Sequence, residues 1–335
     1  MGLTIVLISG DHRLHGEPHA HVPPSPRRRP RAGRPGRVRV RGLGGASGSG
    51  GADGKLAIEA SFYPLQWVAE RVGGDHVSVA NLTPPGAEPH DLELTPKRTA
   101  ALADADLVLY LSGFQPAVDD AVASVDAEAL DAASVVDLDL TASDDGHDHD
   151  HGDEGAGHDE GAGVDPHFWL DPTRLAKVVG AVADSLADLD PEHEDDYRAS
   201  AADAVADLEE LDGELEAGLE TCESRDVVTS HQAFGYLAQR YDLRQVGISG
   251  LSPDEEPSAA DLADVIGFVK DHDVRTIYFE TLVSPDVART VASETGADTA
   301  VLDPIEGLSD ASAGNDYLEV MRSNLASLRA GQRCT

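Results

Sequence analysis

Asp171-Pro172-Thr-Arg-Leu175-Ala-Lys-Val178-Val179-Gly-Ala-Val182-Ala-Asp-Ser-Leu186-Ala-Asp-Leu189-Asp-Pro191 decides how this chain is organised. Its apolar residues recur at 175, 178, 179, 182, 186 and 189, the spacing that puts them on one face of an α-helix. Pro172 stands at the start, where a missing N–H costs nothing. Pro191 interrupts the pattern, which resumes through Tyr197 to about Leu219. About 48 residues of helix with one break is unusual for a small domain. A stiff connector between two lobes is the natural use for it, and residues 171–222 read as that connector.

The segments on either side share one grammar, short apolar runs alternating with amphipathic ones, which is the pattern of an α/β domain. In residues 54–170, strands are expected at Leu56–Ala60, Val77–Leu82, Asp106–Leu111 and Val135–Leu138. Helices are expected at Pro64–Val72, from Thr95-Pro96 onward and after Pro116. In residues 223–335, strands are expected at Asp226–Thr229, Gln245–Ile248, Thr276–Phe279 and Thr299–Leu302. Helices fall at Gln232–Tyr241, Ser258–His272, Asp286–Thr295 and Tyr317–Arg329. Two lobes of equal pattern joined by a helix enclose a cleft.

The 335 residues suffice for two domains of ordinary size. With 62 acidic against 25 basic residues the chain carries −37, which argues against nucleic acid and anionic membrane surfaces as partners. Lys occurs only at 55, 97, 177 and 270. So acidic a surface suits high salt, where self-repulsion is screened within roughly 3 Å at 1 M, and a halophilic source is the expectation. Residues 1–50 run against the trend, with nine Arg against Asp11 and Glu17. Their Pro- and Arg-rich run cannot bury a core, so residues 1–53 read as a disordered leader and linker. A basic tail for an acidic partner is one reading of them, and a displaced reading frame or start site is another. Gly44-Gly-Ala-Ser-Gly-Ser-Gly-Gly looks like the linker that follows an export signal. No later stretch approaches the roughly 18–20 apolar residues of a membrane span. Cys222 and Cys334 have no C-x-x-C spacing and read as two isolated thiols, a disulfide between them being the alternative.

Three histidines stand in settings that suit a metal ligand: Pro84-Pro-Gly-Ala-Glu-Pro-His90-Asp, Asp165-Pro-His167-Phe-Trp-Leu-Asp-Pro and Thr229-Ser-His231-Gln. Each follows a strand or lies at a loop-to-helix junction, and ligands of open parallel sheets collect at the carboxyl ends of strands. A single such histidine is more often a packing or surface residue, but three in matching settings point to one site. Prolines 84, 85 and 89 stiffen the backbone that carries His90. Asp165 and Asp171 are candidate acceptors for the far ring nitrogen of His167. Between the first two lies a tract with His147, His149, His151 and His158 among Asp, Glu and Gly (141–164), without periodicity. It reads as an exposed loop of weak, fast-exchanging auxiliary sites for the same cation.

Taken in order, the motifs Ala60-Ser-Phe-Tyr-Pro-Leu, Pro84-Pro-Gly-Ala-Glu-Pro-His-Asp, the His-rich loop, Asp165-Pro-His-Phe-Trp-Leu-Asp-Pro, Ser230-His-Gln-Ala-Phe-Gly-Tyr and Leu302-Asp-Pro-Ile-Glu-Gly-Leu resemble the zinc/manganese substrate-binding proteins of ABC importers. The zinc-binding subgroup, ZnuA- and AdcA-like, is the nearest, over about residues 55–331. The resemblance implies two lobes of parallel sheet flanked by helices, joined by one long helix, with the metal in the inter-lobe cleft. It carries the ligand role onto His90, His167, His231 and Glu306, with Asp303 and Asp310 as rivals for the carboxylate and Glu280 as a supporting or structural group. Three imidazoles and one carboxylate suit Zn2+, whereas Mn2+, the alternative, favours more oxygen.

The function expected from this is reversible capture of Zn2+ outside the cytoplasmic membrane and its delivery to a permease and ATPase. The chain is expected to act as a monomer, with any membrane association through an N-terminal anchor. A zinc hydrolase is the rival from another class, since three histidines can also hold an activating metal. No H-E-x-x-H and no independent general base accompany them, so no enzymatic activity is expected. A surface metal buffer or adhesin without a transporter is the third reading.

Overall fold

The structure is a computed structural model and describes residues 54–141 and 163–335. Two parallel four-stranded sheets carry it. The first holds β1 (Leu56–Ala60), β2 (Val77–Asn81), β3 (Leu107–Tyr110) and β4 (Ala129–Asp131) in the order β2-β1-β3-β4. The second holds β5 (Asp226–Thr229), β6 (Arg244–Gly247), β7 (Thr276–Phe279) and β8 (Asp298–Val301) in the order β6-β5-β7-β8. The two orders are the same topology met twice. In each, the chain leaves the first strand toward one edge and then returns to build toward the other. Loops leaving β1 and β3, and likewise β5 and β7, therefore diverge, and a crevice opens beyond their carboxyl ends.

The helices form for local reasons the sequence states. Thr95 caps α2 (Pro96–Asp104) by accepting from the Arg98 N–H, with Pro96 at the first position. Ser258 and Asp261 form a reciprocal capping box on α7 (Ala259–Asp271). Asp171 caps α4 (Pro172–Leu189) by accepting from the Thr173 N–H. Flanking helices α1 (Tyr63–Gly73), α3 (Pro116–Ser124), α6 (Gly235–Arg240) and α8 (Asp286–Thr295) return the chain between parallel strands.

The break at Pro191 is a reversal. After a short 3-10 turn at Pro191–His193 the chain enters α5 (Glu194–Leu219), and α4 and α5 pack along one another. Helix α5, 26 residues and so about 39 Å long, runs along both halves, packing on α1 of the first and on α9 (Tyr317–Gly331) of the second. Helix α4 folds back against α5 and α1, burying the predicted stripe of Leu175, Val178, Val179, Val182 and Leu186.

Three expectations change. The fourth strand is Ala129–Asp131, not Val135–Leu138. The Asp131 carboxylate accepts from the Ala133 N–H and starts a 3-10 turn at Ala132–Ser134, so Val136 enters the core from a turn rather than a strand. Helix α6 begins at Gly235, three residues late, because the His231 carbonyl accepts from Thr229 Oγ1 and Gln245 Nε2 rather than from a helical N–H, and the chain bends through residues 230–232 first. Finally, Cys222 and Cys334 form a disulfide rather than two isolated thiols. The end of α5 and the turn after α9 meet there, through Glu223 N–H to Gln332 O at 3.1 Å and Thr221 Oγ1 to Thr335 O at 2.6 Å. Sequence separation of 112 concealed this proximity.

Candidate metal centre

Loops from both sheets bring His90, His167, His231 and Glu306 together, with one ligand atom from each lying within 4.8 Å of all the others. His90 stands in the loop after β2, His231 after β5, Glu306 after β8, and His167 immediately before a 3-10 turn at Phe168–Leu170 that leads into α4. Among the described residues this is the group of three or more His, Cys, Asp or Glu side chains placed to converge on an ion. His167 and Glu306 are 0% exposed and His231 1%.

Three imidazoles face one carboxylate oxygen. Glu306 Oε1 lies 3.1 Å from His167 Nε2, 3.3 Å from His231 Nε2 and 3.5 Å from His90 Nε2. Their tautomers follow from the opposite ring nitrogens. His167 Nδ1 is 2.7 Å from Asp165 Oδ1, and His231 Nδ1 is 2.7 Å from Glu280 Oε1. An ionised carboxylate only accepts, so each Nδ1 carries the proton and each neutral ring turns an Nε2 lone pair toward Glu306. Lone pairs and a carboxylate oxygen repel one another in a site this dry. The conflict is resolved by protons on the rings or by a cation among them.

The electrostatics tell the same story. Burial acts to lower the His167 pKa, but hydrogen bonds to Asp165 and Glu306 outweigh it and hold the group above its ordinary value. For His231 burial is again overcome, by the charge and hydrogen bond of Glu280 and by Glu306, and the group sits well above the usual range. Glu306, which burial alone would raise, is held well below the carboxylate range by His167, His231 and His90. The site favours positive charge. A tetrahedral ion with bonds of 2.0–2.1 Å separates its ligand atoms by about 3.3 Å. That edge length matches the three contacts to Glu306 Oε1. The buried Nε2 atoms of His90 and His231 and Oε2 of Glu306 have no hydrogen-bond partner, as befits atoms reserved for an ion.

Beneath the rings lies an aromatic floor. Phe62 packs on Phe114 and on Trp169 with centroids 4.8 Å apart in each case, Phe114 meets His90 at 4.6 Å and Trp169 meets His167 at 5.2 Å. These apolar neighbours exclude water and fix the ring planes. Glu280 takes a second bond, from Ser230 Oγ at 2.6 Å, so the group that orients His231 is itself held.

The other candidates sit elsewhere. Asp303, buried, is used in the loop that carries Glu306: its Oδ1 accepts from the Ile305 N–H and its backbone is paired with Asn324. Asp310 is exposed. Asp171 caps α4 and does not reach His167. His147, His149, His151 and His158 lie outside the described residues. Sequence reasoning missed Glu88. Its Oε1 accepts from the His90 N–H at 3.0 Å, its Oε2 is buried without a partner, and burial together with the charge of Glu306 pushes its pKa up to about 9. A lone carboxyl inside the Pro-rich turn was the available signal.

The chain is similar to known proteins. The family model described as the periplasmic zinc-uptake complex component A, ZnuA, matches residues 58–331. The zinc-binding lipoprotein AdcA of Streptococcus pneumoniae R6 is 38% identical over 284 residues, 83% of this chain and 56% of that protein. This chain thus spans about half the length of that relative. The high-affinity zinc uptake system protein ZnuA of Bacillus subtilis 168 is 37% identical over 299 residues, 87% of this chain and 92% of that protein. The crystal structure of the Zn(II)-bound ZnuA-like domain of Streptococcus pneumoniae AdcA superposes with a TM-score of 0.68 at 35% identity, covering 83% of this chain and 99% of that one.

Proposed function

The chain belongs to the family of ZnuA, the periplasmic component of zinc-uptake complexes, and on that premise we propose that it captures Zn2+ outside the cytoplasmic membrane and hands it to an ABC importer. Its partners in this reading are a membrane permease and the ATPase that drives it. Among the described residues no helix is long and apolar enough to cross a membrane.

One observation carries the proposal: two buried imidazoles with fixed tautomers and a third, His90, turn their Nε2 atoms onto a single buried carboxylate. Three nitrogens and one oxygen, with the three contacts to Glu306 Oε1 near the tetrahedral edge length, suit zinc over manganese, which prefers more oxygen. His90, His167, His231 and Glu306 are the proposed ligands. His90 and His167 come from the first lobe, His231 and Glu306 from the second, so the ion closes the cleft by joining the two. No bond of the cargo is broken or made. With Glu306 filling the fourth position, no open place for an attacking water is left, which separates this centre from a catalytic zinc site.

The test is competition calorimetry on the full chain in high salt, with zinc and then manganese titrated into stripped protein. One tight zinc site that manganese does not displace is expected, and it should vanish in His231→Ala and Glu306→Ala. A tight site preferring manganese would leave the fold reading intact and change the cargo. No tight site would overturn the assignment.

A further inference from the structure

Ile305 stands beside the proposed ligand Glu306 in a backbone conformation that its side chain resists. Its φ is +57°, in the left-handed region. The other described non-glycine residues there are Asp242, Asp273 and Arg333. Aspartate tolerates this region because its short polar side chain bonds locally. Ile305 is β-branched and wholly buried, and for such a residue a positive φ is an outlier that persists only where surrounding contacts impose it.

Those contacts come from opposite lobes. On its own lobe, Asp303 Oδ1 accepts from the Ile305 N–H at 2.8 Å, and Asn324 of α9 grips Asp303 through bonds of 2.9 and 2.7 Å. The flanking carbonyls are held from across the cleft. The Trp169 indole donates to Pro304 O at 2.7 Å, the Tyr63 N–H to Glu306 O at 3.4 Å and the Gly86 N–H to Leu308 O at 3.1 Å. Tyr63, Gly86 and Trp169 all belong to the half that supplies His90 and His167. The strained residue is thus clamped between an anchor on its own lobe and donors on the other.

From this geometry we infer that Ile305 is a strained pivot that positions Glu306, held at positive φ by the joined lobes and relaxing to negative φ when they part, so that the ligand loop withdraws and the ion is released. The inference rests on the zinc-capture reading and adds to it the source of the release. When the three cross-cleft donors leave, the carbonyls of Pro304, Glu306 and Leu308 lose those partners, and the Asp303 Oδ1 bond to the Ile305 N–H remains as the own-lobe anchor about which the segment relaxes. The strain is a cost paid only by the loaded, closed arrangement. It weakens binding by the bias that a Cβ imposes against the left-handed region, about five- to thirtyfold.

A pair of substitutions isolates that term. Ile305→Ala and Ile305→Gly both delete the buried side chain beyond Cβ and leave nearly the same cavity. Ala keeps the Cβ penalty at positive φ, whereas Gly adopts either sign freely. Zinc affinity and dissociation rate of wild type and both variants are measured on the full chain by chelator competition, with metal-free melting temperatures as a check of folding. The expected result is that Ile305→Gly binds zinc about five- to thirtyfold more tightly than Ile305→Ala, with slower dissociation. Equal affinities would mean the same φ with and without metal and would overturn the pivot while leaving zinc capture standing. Failure of wild type itself to bind zinc would take down the cargo reading and the pivot with it. Should either variant not fold, a crystal structure of metal-free wild type decides: Ile305 at negative φ supports the pivot, and positive φ overturns it.

Discussion

Replacing Glu280 by glutamine tests whether the carboxylate behind His231 tunes the metal site without joining it. Glu280 is 3% exposed and receives His231 Nδ1 at 2.7 Å and Ser230 Oγ at 2.6 Å. A hydrogen bond to a charged group contributes about 1.5–3 kcal/mol and a neutral one about 0.5–1.5 kcal/mol. Glutamine keeps an acceptor for Nδ1 and loses the charge, so Glu280→Gln should cost about 1–1.5 kcal/mol of zinc affinity, close to tenfold. Glu280→Ala leaves His231 Nδ1 buried without a partner, takes the acceptor from Ser230 Oγ and frees the ring to turn. Its loss should approach a hundredfold, the upper end for groups that orient metal ligands. Affinities would be read by competition against a chromophoric chelator at pH 7.5, beside Glu306→Gln as a ligand-loss reference. Two results would refute the reasoning. An unchanged affinity in Glu280→Ala would show that His231 needs no orienting partner, and a loss in Glu280→Gln equal to that in Glu306→Gln would make Glu280 a direct ligand.

Zinc binding should release protons near neutral pH, because His167 and His231 are held above their ordinary values in the metal-free site. Affinity is full above those raised pKa values and falls as pH drops through them, beginning above the ordinary histidine value of about 6.5. Calorimetry in buffers of different ionisation enthalpy counts the protons, and a pH-independent affinity between 5 and 8 would contradict a histidine site. Reduction of Cys222–Cys334 opens a ring that contains the whole second sheet with His231 and Glu306. The chain-entropy model gives a stability loss of about 4–5 kcal/mol for so long a loop. Denaturant melts with and without reductant measure it, and coincident curves would argue that the bridge constrains nothing. Deleting residues 142–162, with the His/Asp-rich tract, should remove weak sites and spare the tight one. Loss of the tight site on deletion would place a ligand in the tract.

The sequence by itself determined a good deal. Helical periodicity at Leu175–Leu189, the Pro and Thr or Ser signals at Thr95-Pro96 and Ser258, and the doubled β/α alternation are local properties of the chain, and they laid out two lobes of parallel sheet. The three histidines stood out in stiff or turn-forming settings, since short-range geometry is what Pro, Gly and strand ends encode, whereas Glu306 was singled out among Asp303 and Asp310 by the family resemblance. What tertiary structure alone decided were relations between distant segments. The reversal at Pro191 depends on α4 finding α1 and α5, the displacement of β4 to Ala129–Asp131 on pairing with β3, and the Cys222–Cys334 bridge on α9 returning to the end of α5. The site obeys the same division. Residue types announced a metal centre, but whether Asp165 or Asp171 served His167, that Glu280 served His231, and that Glu88 lay close by were settled by through-space distances. Such distances follow from packing two lobes against one another, a sum of many weak contacts that no local pattern records.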